Sequence, residues 1–256
     1  MEYLDAGRAL LFSLGAGLST LLGALIVFLV KGKSEKAVTA SLGFAAGVMI
    51  SVSFLDMLPS ATDALSEWAG PQLGIILMIV SLVVGVLIAA GIDHFVPHEH
   101  LEGKEQSHGN MYRLGMMSML AIAVHNFPEG IATFMAGVSN AELGLSISVA
   151  IAMHNIPEGI TVAMPVYYST GSKKRALWFA FLSGISEPAG ALLAFLLLRP
   201  LINDLVLGFV FGIVSGIMLY IAIEELIPSS RQYGYTRLAL FSTIAGMCIM
   251  PLTHII

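Results

Sequence analysis

An all-α polytopic membrane protein with eight transmembrane helices is the fold class this sequence predicts. Three observations carry the expectation: hydrophobic side chains make up 57% of the 256 residues, charged ones only 11%, and the mean hydropathy is +0.86. A soluble domain carries about 25% charged residues, so fewer than half the usual charges are present. Folded in water, such a chain would expose a large apolar surface. Apolar blocks of about 20 residues, with the charges collected between them, fit a bilayer instead. A soluble enzyme and a disordered chain are thereby excluded. Twelve basic against seventeen acidic residues, net −5, leave no basic footprint for nucleic acid. Cys248 is the single cysteine, which rules out an intrachain disulfide and a cysteine metal cluster. It lies in an apolar run and is expected to pack there.

The expected spans are, in order, 9–30, 38–59, 72–91, 114–136, 143–167, 176–198, 205–227 and 238 to the C-terminus. The first is longer than a signal-peptide core and lacks a small-residue cleavage pattern before Lys31, so it counts as a span. Basic residues assign the sides. Lys31, Lys33 and Lys36 follow span one, and Lys104 and Arg113 precede span four. Lys173, Lys174 and Arg175 follow span five, and Arg231 and Arg237 precede span eight. Ten of the twelve basic residues thus occupy alternate loops, leaving Arg8 and Arg199 opposite. The positive-inside rule places those loops in the cytoplasm and both termini outside. Residues 1–256 then form one transmembrane domain, with a cytoplasmic His-containing loop at 92–113. The outer face receives Glu2, Asp5, Asp63, Glu67, Glu142 and Asp204, either an acidic entrance that concentrates cations or simply solvated loops. Gly43 and Gly47, and Gly208, Gly212 and Gly216, recur every four positions, a spacing that lets helix backbones approach closely in lipid.

The informative residues are polar ones inside apolar spans. Span four contains His125-Asn126-Phe127-Pro128-Glu129-Gly130, and span five repeats it 29 residues later as His154-Asn155-Ile156-Pro157-Glu158-Gly159. Positions i, i+1 and i+4 of a helix point at about 0°, 100° and 40°, so His, Asn and Glu share one side. Pro128 and Pro157 lack an N–H, which frees the carbonyls of Val124 and Met153 and is expected to bend each helix. Broken helices are tolerated in lipid where they line an enclosed cavity, as in ion-binding spans. Span six adds Ser183, Ser186, Glu187 and Pro188; a buried carboxylate such as Glu187 needs a cation, a proton or a donor. Span two offers Ser51, Ser53 and Asp56 before Pro59, and span seven offers Glu224 and Glu225 before Pro228. The similar endings of spans two and seven fit an inverted repeat relating spans one to three with six to eight.

A His/Glu set of this kind could fix packing or relay protons. Two imidazoles, three carboxylates and two amides exceed what packing requires, so metal coordination by His125, Asn126, Glu129, His154, Asn155, Glu158 and Glu187 is the expectation. Imidazole mixed with carboxylate oxygen suits zinc, iron(II), manganese or cobalt, whereas calcium and magnesium favour oxygen alone. Without thiolates, an exchangeable site is expected rather than a tight structural one. Asp56 reads either as a ligand or as a capped helix end. Glu224 and Glu225 read as an exit path or as interfacial solvation. His94, His98, His100 and His108 read as weak metal capture or as a plain solvated loop.

Eight spans with outside termini, together with HNFPEG and HNIPEG in spans four and five, resemble the ZIP (Zrt/Irt-like) zinc and iron transporter family, in particular its bacterial zinc permease and GufA-like branches. The resemblance covers essentially the whole chain. It implies helices arranged as three plus two plus three, often a homodimer, importing divalent metal across the plasma membrane (a bacterial inner membrane) toward the cytoplasm. It further implies that His125, Glu129, His154, Asn155 and Glu158 are metal ligands, that Glu129 and Glu158 bridge two ions, and that Asn126 and Glu187 serve the second. Many members read H-E-x-P-H-E in span five; here Asn155, Glu158 and Gly159 replace Glu, His and Glu, so metal preference does not transfer. No cofactor is required; zinc or another divalent transition metal is the bound substrate, and the lipid bilayer is the other partner. A selective metal channel is the alternative. An intramembrane zinc protease would need H-E-x-x-H, which neither hexapeptide supplies.

Overall fold

The computed structural model describes residues 3–29, 34–95, 104–139, 141–198 and 204–253, and these are helical apart from short turns. The helices are α1 (Tyr3–Val27), α2 (Glu35–Val52), α3 (Leu58–Ala69), α4 (Pro71–Phe95), α5 (Lys104–Ser139), α6 (Ala141–Thr170), α7 (Lys173–Gly184), α8 (Ser186–Leu193), α9 (Asp204–Tyr220), α10 (Ile227–Arg231) and α11 (Thr236–Thr253). Six stretches among the described residues are long and apolar enough to cross a membrane: Asp5–Val27, Glu35–Ala69, Pro71–His94, Ile147–Thr170, Lys173–Leu196 and Leu205–Arg231. The 36-residue α5 falls short in apolarity, for it combines a polar first third with the HNFPEG sequence. In α11 the apolar stretch is shorter, Thr236–Ile249.

Local sequence explains the ends. Ser34 and Ser172 cap α2 and α7 by accepting the N–H groups of Ala37 and Arg175, each at 3.3 Å. Gly171 closes α6 at φ +68°, the left-handed conformation that glycine adopts without steric cost. Helix extends further than the apolar pattern suggests. α2 and α3 run on past Pro59 to Ala69, and α4 and α5 take up both ends of the 92–113 stretch. His98 and His100 lie outside the described residues.

Two wider, π-helical turns absorb prolines. In Ser53–Met57 the Leu58 N–H reaches the Ser53 carbonyl, just ahead of Pro59. In Ile221–Leu226 the Ile227 N–H reaches the Ala222 carbonyl, just ahead of Pro228. A five-residue hydrogen-bond step accommodates the missing proline N–H without ending the helix. Pro128 and Pro157 sit within uninterrupted α5 and α6. A helix interruption falls at Ile185, between α7 and α8, ahead of Pro188.

Small residues set the packing. α2 lies against α11 and α4 against α9, while α1, α5, α6 and α8 pack together. A Cβ on Gly47 would stand 2.0 Å from the Thr243 carbonyl oxygen, and one on Gly216 2.1 Å from that of Leu82. These are the close crossings that the four-residue glycine spacing predicts. The outward faces remain apolar, with Ile76, Ile79 and Leu87 of α4 and Phe241 of α11 exposed. Cys248, in its apolar run, lies on this outer surface.

The basic stretches gather at one end. Lys36 Nζ stands 5.6 Å from the Tyr235 ring centroid and Lys173 Nζ 5.3 Å from that of Phe28. Gln232 donates to Met111 Sδ at 3.2 Å. At the other end Arg8 bonds Asp5 at 3.1 Å and the Gly137 carbonyl at 3.4 Å.

Gly47→Ala should lower the thermal midpoint of the detergent-purified protein, since forcing two backbones apart costs about 1–3 kcal/mol. Gly91 is the control, because a methyl group added there would meet nothing within 4 Å. Gly91→Ala should leave the midpoint unchanged or raise it; equal midpoints for the two variants would contradict the crossing.

Candidate metal centre

The two hexapeptides meet face to face. α5 and α6 are antiparallel neighbours, and the i, i+4 spacing points His and Glu of each toward the other. His125 Nε2 lies 3.0 Å from Glu158 Oε1, and His154 Nε2 lies 3.3 Å from Glu129 Oε2. In each pair an imidazole N–H donates to a carboxylate of the opposite helix. All four side chains are buried: His125 is 0% exposed, Glu158 1%, and Glu129 and His154 4% each.

The asparagines tie this centre to the flanking helices. Asn155 Nδ2 donates to Glu187 Oε2 at 2.9 Å and to the Ala16 carbonyl at 3.0 Å. Asn126 Nδ2 donates to the Ser183 carbonyl at 3.4 Å. Glu187, on α8, is fully buried. Gly130 and Gly159 allow this approach: a Cβ on Gly130 would fall 1.8 Å from the Glu187 carbonyl oxygen, and one on Gly159 1.9 Å from that of Thr20. The final glycine of each hexapeptide is therefore a helix-crossing point.

Each of the seven expected site residues lies in this interior, six of them as three pairs and Asn126 on the Ser183 carbonyl. Among the described residues no three His, Cys, Asp or Glu side chains are gathered tightly enough to hold a metal together. What the pairs leave over is a set of acceptors. His125 Nδ1, Asn126 Oδ1, Asn155 Oδ1, Glu158 Oε2 and Glu187 Oε1 are all buried without a hydrogen-bond partner. With Nε2–H engaged by Glu158, a neutral His125 presents a bare lone pair at Nδ1. Buried polar atoms are normally satisfied, so five without partners at one centre set it apart from an ordinary packed interior.

Span two contributes less directly. Ser51 donates to the Met247 carbonyl at 3.1 Å and Ser53 to that of Met49 at 2.8 Å. Asp56 lies within the first π-helical turn. Glu224 is exposed and His94 is exposed at the end of α4. His108 lies on the first turns of α5.

Comparison with known proteins matches this architecture. A family model described as ZIP zinc transporter fits residues 97–253, which include both hexapeptides and Glu187. The chain belongs to the ZIP zinc transporter family. It is 46% identical over 255 residues to the zinc transporter ZupT of Chlorobium luteolum, covering 96% of each chain. It is 42% identical over 245 residues to ZupT of Streptococcus mutans, covering 93% of each. Over 249 residues it is 45% identical to ZupT of Chlorobaculum parvum, again covering 93% of each. As a ZIP protein it transports metal of the zinc type across a membrane and is not an enzyme.

Two features of this ZIP chain escape sequence reasoning. Arg113 serves there only to mark a side; in the structure Arg113 Nη2 bonds Asp93 Oδ1, and its Nη1 reaches Glu225 Oε1 at 3.5 Å. The Tyr220 hydroxyl donates to Asp93 Oδ2 at 3.2 Å. This half-buried knot joins α4, α5 and the second π-helical turn, from residues too far apart in sequence to suggest a pair. The second is Thr20, whose fully buried hydroxyl lacks a partner. A heptapeptide repeat could have revealed it: Gly17-Leu-Ser-Thr-Leu-Leu-Gly23 recurs as Gly184-Ile-Ser-Glu-Pro-Ala-Gly190.

Arg113→Gln should destabilise the protein by about 3–5 kcal/mol at most, because it leaves two facing carboxylates without a cation. Adding Asp93→Asn should recover part of that loss. Thermal denaturation of the two single variants and the double variant measures the coupling; strict additivity would show that the ion pair contributes nothing.

Proposed function

We propose that this ZIP protein imports zinc toward the cytoplasm through the buried centre between α5, α6 and α8. The observation that carries this reading is the set of unpartnered acceptors on His125, Asn126, Asn155, Glu158 and Glu187. In an apolar interior such atoms are costly unless a cation meets them. Imidazole nitrogen mixed with carboxylate and amide oxygen selects borderline divalent metals, zinc first, with iron(II), manganese and cobalt as further substrates. The relatives that match over almost the whole chain are named as zinc transporters. Glu129 and Glu158 supply charge against dehydration of the ion, His125 and His154 supply nitrogen, and Asn126, Asn155 and Glu187 serve neighbouring ion positions. The hydrogen-bonded His–Glu pairs hold the ligands in register when no metal is bound.

The same reading takes the chain as eight spans in a three-plus-two-plus-three order, with both termini outside. The basic stretches collected at one end support the orientation. An inverted repeat is supported by paired features. The Gly17 and Gly184 crossing is reciprocal, and the α2–α11 and α4–α9 contacts are of one kind. Asp56 and Glu225 occupy matching π-helical turns three residues before a proline. Alternating access would then come from one group of helices rocking against the other around the fixed centre.

Equilibrium zinc binding to detergent-purified protein at one fixed pH tests the centre. Glu129→Gln and Glu158→Gln keep shape and an oxygen but remove one charge each. Affinity should fall by at least about tenfold, with the thermal midpoint near wild type. Equal affinity in all three proteins would reduce the centre to packing or proton relay.

Orientation has its own measurement. In a Cys248→Ser background, single cysteines at 104 and 173 should react with an impermeant reagent only from the cytoplasmic side. Labelling of position 104 from outside while position 173 stays protected would contradict the topology.

A further inference from the structure

The hydroxyl of Thr20 is one of five buried hydroxyls without a hydrogen-bond partner among the described residues, with those of Ser13, Thr39, Ser118 and Thr133, and it stands at the Gly17–Gly184 crossing. Ser19 donates to the carbonyls of Ala16 and Ala152, Ser183 to that of Ala180, and Thr161 to that of Glu158. Bonding back into the preceding turn is the ordinary fate of a helical Ser or Thr. Thr20 Oγ1 makes no such bond, although the residue is 0% exposed.

Its surroundings mirror those of Glu187. Thr20 and Glu187 hold the fourth position of the two Gly-x-Ser-x-x-x-Gly heptapeptides, 167 residues apart. Gly17 and Gly184 cross each other: a Cβ on either would stand within 2.4 Å of the other's carbonyl oxygen. Gly23 meets the carbonyl of Ile156, and Gly190 meets that of Phe127, the same position of the two hexapeptides. Gly159 packs on the Thr20 backbone as Gly130 packs on that of Glu187. The asparagines follow suit, since Asn155 bonds the Ala16 carbonyl and Asn126 bonds the carbonyl of Ser183, 167 positions on. A Cβ on Gly184, the residue after Ser183, would stand 3.1 Å from Thr20 Oγ1. In one half, therefore, an amide and a carboxylate sit together. In the other an amide and a hydroxyl occupy the corresponding places, and Asn126 Oδ1 and Thr20 Oγ1 are both unpartnered.

We propose that Thr20 Oγ1 and Asn126 Oδ1 form a neutral oxygen-donor position for the transported divalent cation, the counterpart of the charged Glu187–Asn155 position. The inference rests on the metal reading of the His–Glu centre. A hydroxyl and an amide stabilise a partly hydrated ion without the electrostatic hold of a carboxylate. The pair thus offers a weaker station beside the charged one, and the ion can move between them without crossing bare hydrocarbon.

Thr20→Val tests this, because valine has the shape of threonine without the oxygen. If the hydroxyl only fills space, removing an unsatisfied buried polar atom leaves the metal-free protein equally or more stable and zinc binding unchanged. If it is a ligand, zinc affinity measured by equilibrium binding on the full-length purified protein falls about tenfold, while the metal-free thermal midpoint does not drop. Thr20→Ser should bind like wild type, and Thr20→Ala guards against a valine that packs badly. Wild-type affinity in Thr20→Val or Thr20→Ala, or a lowered metal-free midpoint in both, overturns the proposal. Glu129→Gln, run alongside, separates the two readings. Unchanged binding there is a failure of the His–Glu centre itself, whereas weakened binding there beside an unaffected Thr20→Val sinks only the Thr20 station.

Discussion

A carboxylate or imidazole cannot be carried into a lipid-embedded helical bundle unless something on another helix answers it. Isolated ionised groups cost many kcal/mol in an apolar medium, and water is absent to relieve them. The reciprocal bonds from His125 to Glu158 and from His154 to Glu129 meet that constraint across the α5–α6 interface. Asn155 meets it for one oxygen of Glu187. The position of α8 against α5 and of α1 against α6 follows from these requirements together with the glycines that permit contact. Where the bonds stop short, on the remaining oxygens and on His125 Nδ1, buried polar atoms are left without a partner.

Close approach is the second necessity, and it is met by subtraction. Because lipid tails are as apolar as leucine, helices in a bilayer gain little from burying large side chains and more from backbone contact. Gly130 at Glu187, Gly159 at Thr20 and Gly47 at Thr243 each put one backbone where a side chain would otherwise stand. The outward surfaces, by contrast, keep their bulk, as along α4. Prolines are handled in three ways. Pro128 and Pro157 are carried within continuous helix, Pro59 and Pro228 follow π-helical turns, and Pro188 follows the break at Ile185.

Much of the centre was legible because helical geometry is periodic. The i, i+4 spacing of His and Glu, repeated in two apolar spans, was enough to name His125, Glu129, His154 and Glu158 as one group. Glu187 was legible as a carboxylate where none is tolerated alone. Pro128 and Pro157 leave their helices unbroken, since a helix buried on several sides is held by its neighbours while a lone proline removes only one bond. The Arg113 knot with Asp93 and Glu225 was illegible. Its members are 20 and 112 residues apart, and nothing in their local sequence distinguishes them from ordinary interfacial charges.

The sequence by itself determined that this is a membrane-embedded helical protein, which residues are misplaced in hydrocarbon, and that they come as a repeated His-Asn-Pro-Glu set. Those are consequences of composition and of a 3.6-residue period, both of which act locally. Only the tertiary structure decided that each histidine faces the other helix's glutamate rather than its own. It likewise decided that Asn155 turns to Glu187 and that Thr20 stands opposite in kind to Glu187. Partners across helices depend on crossing points, and those are set by which glycine meets which carbonyl of the neighbouring helix, a choice made by long-range packing and invisible along any single span.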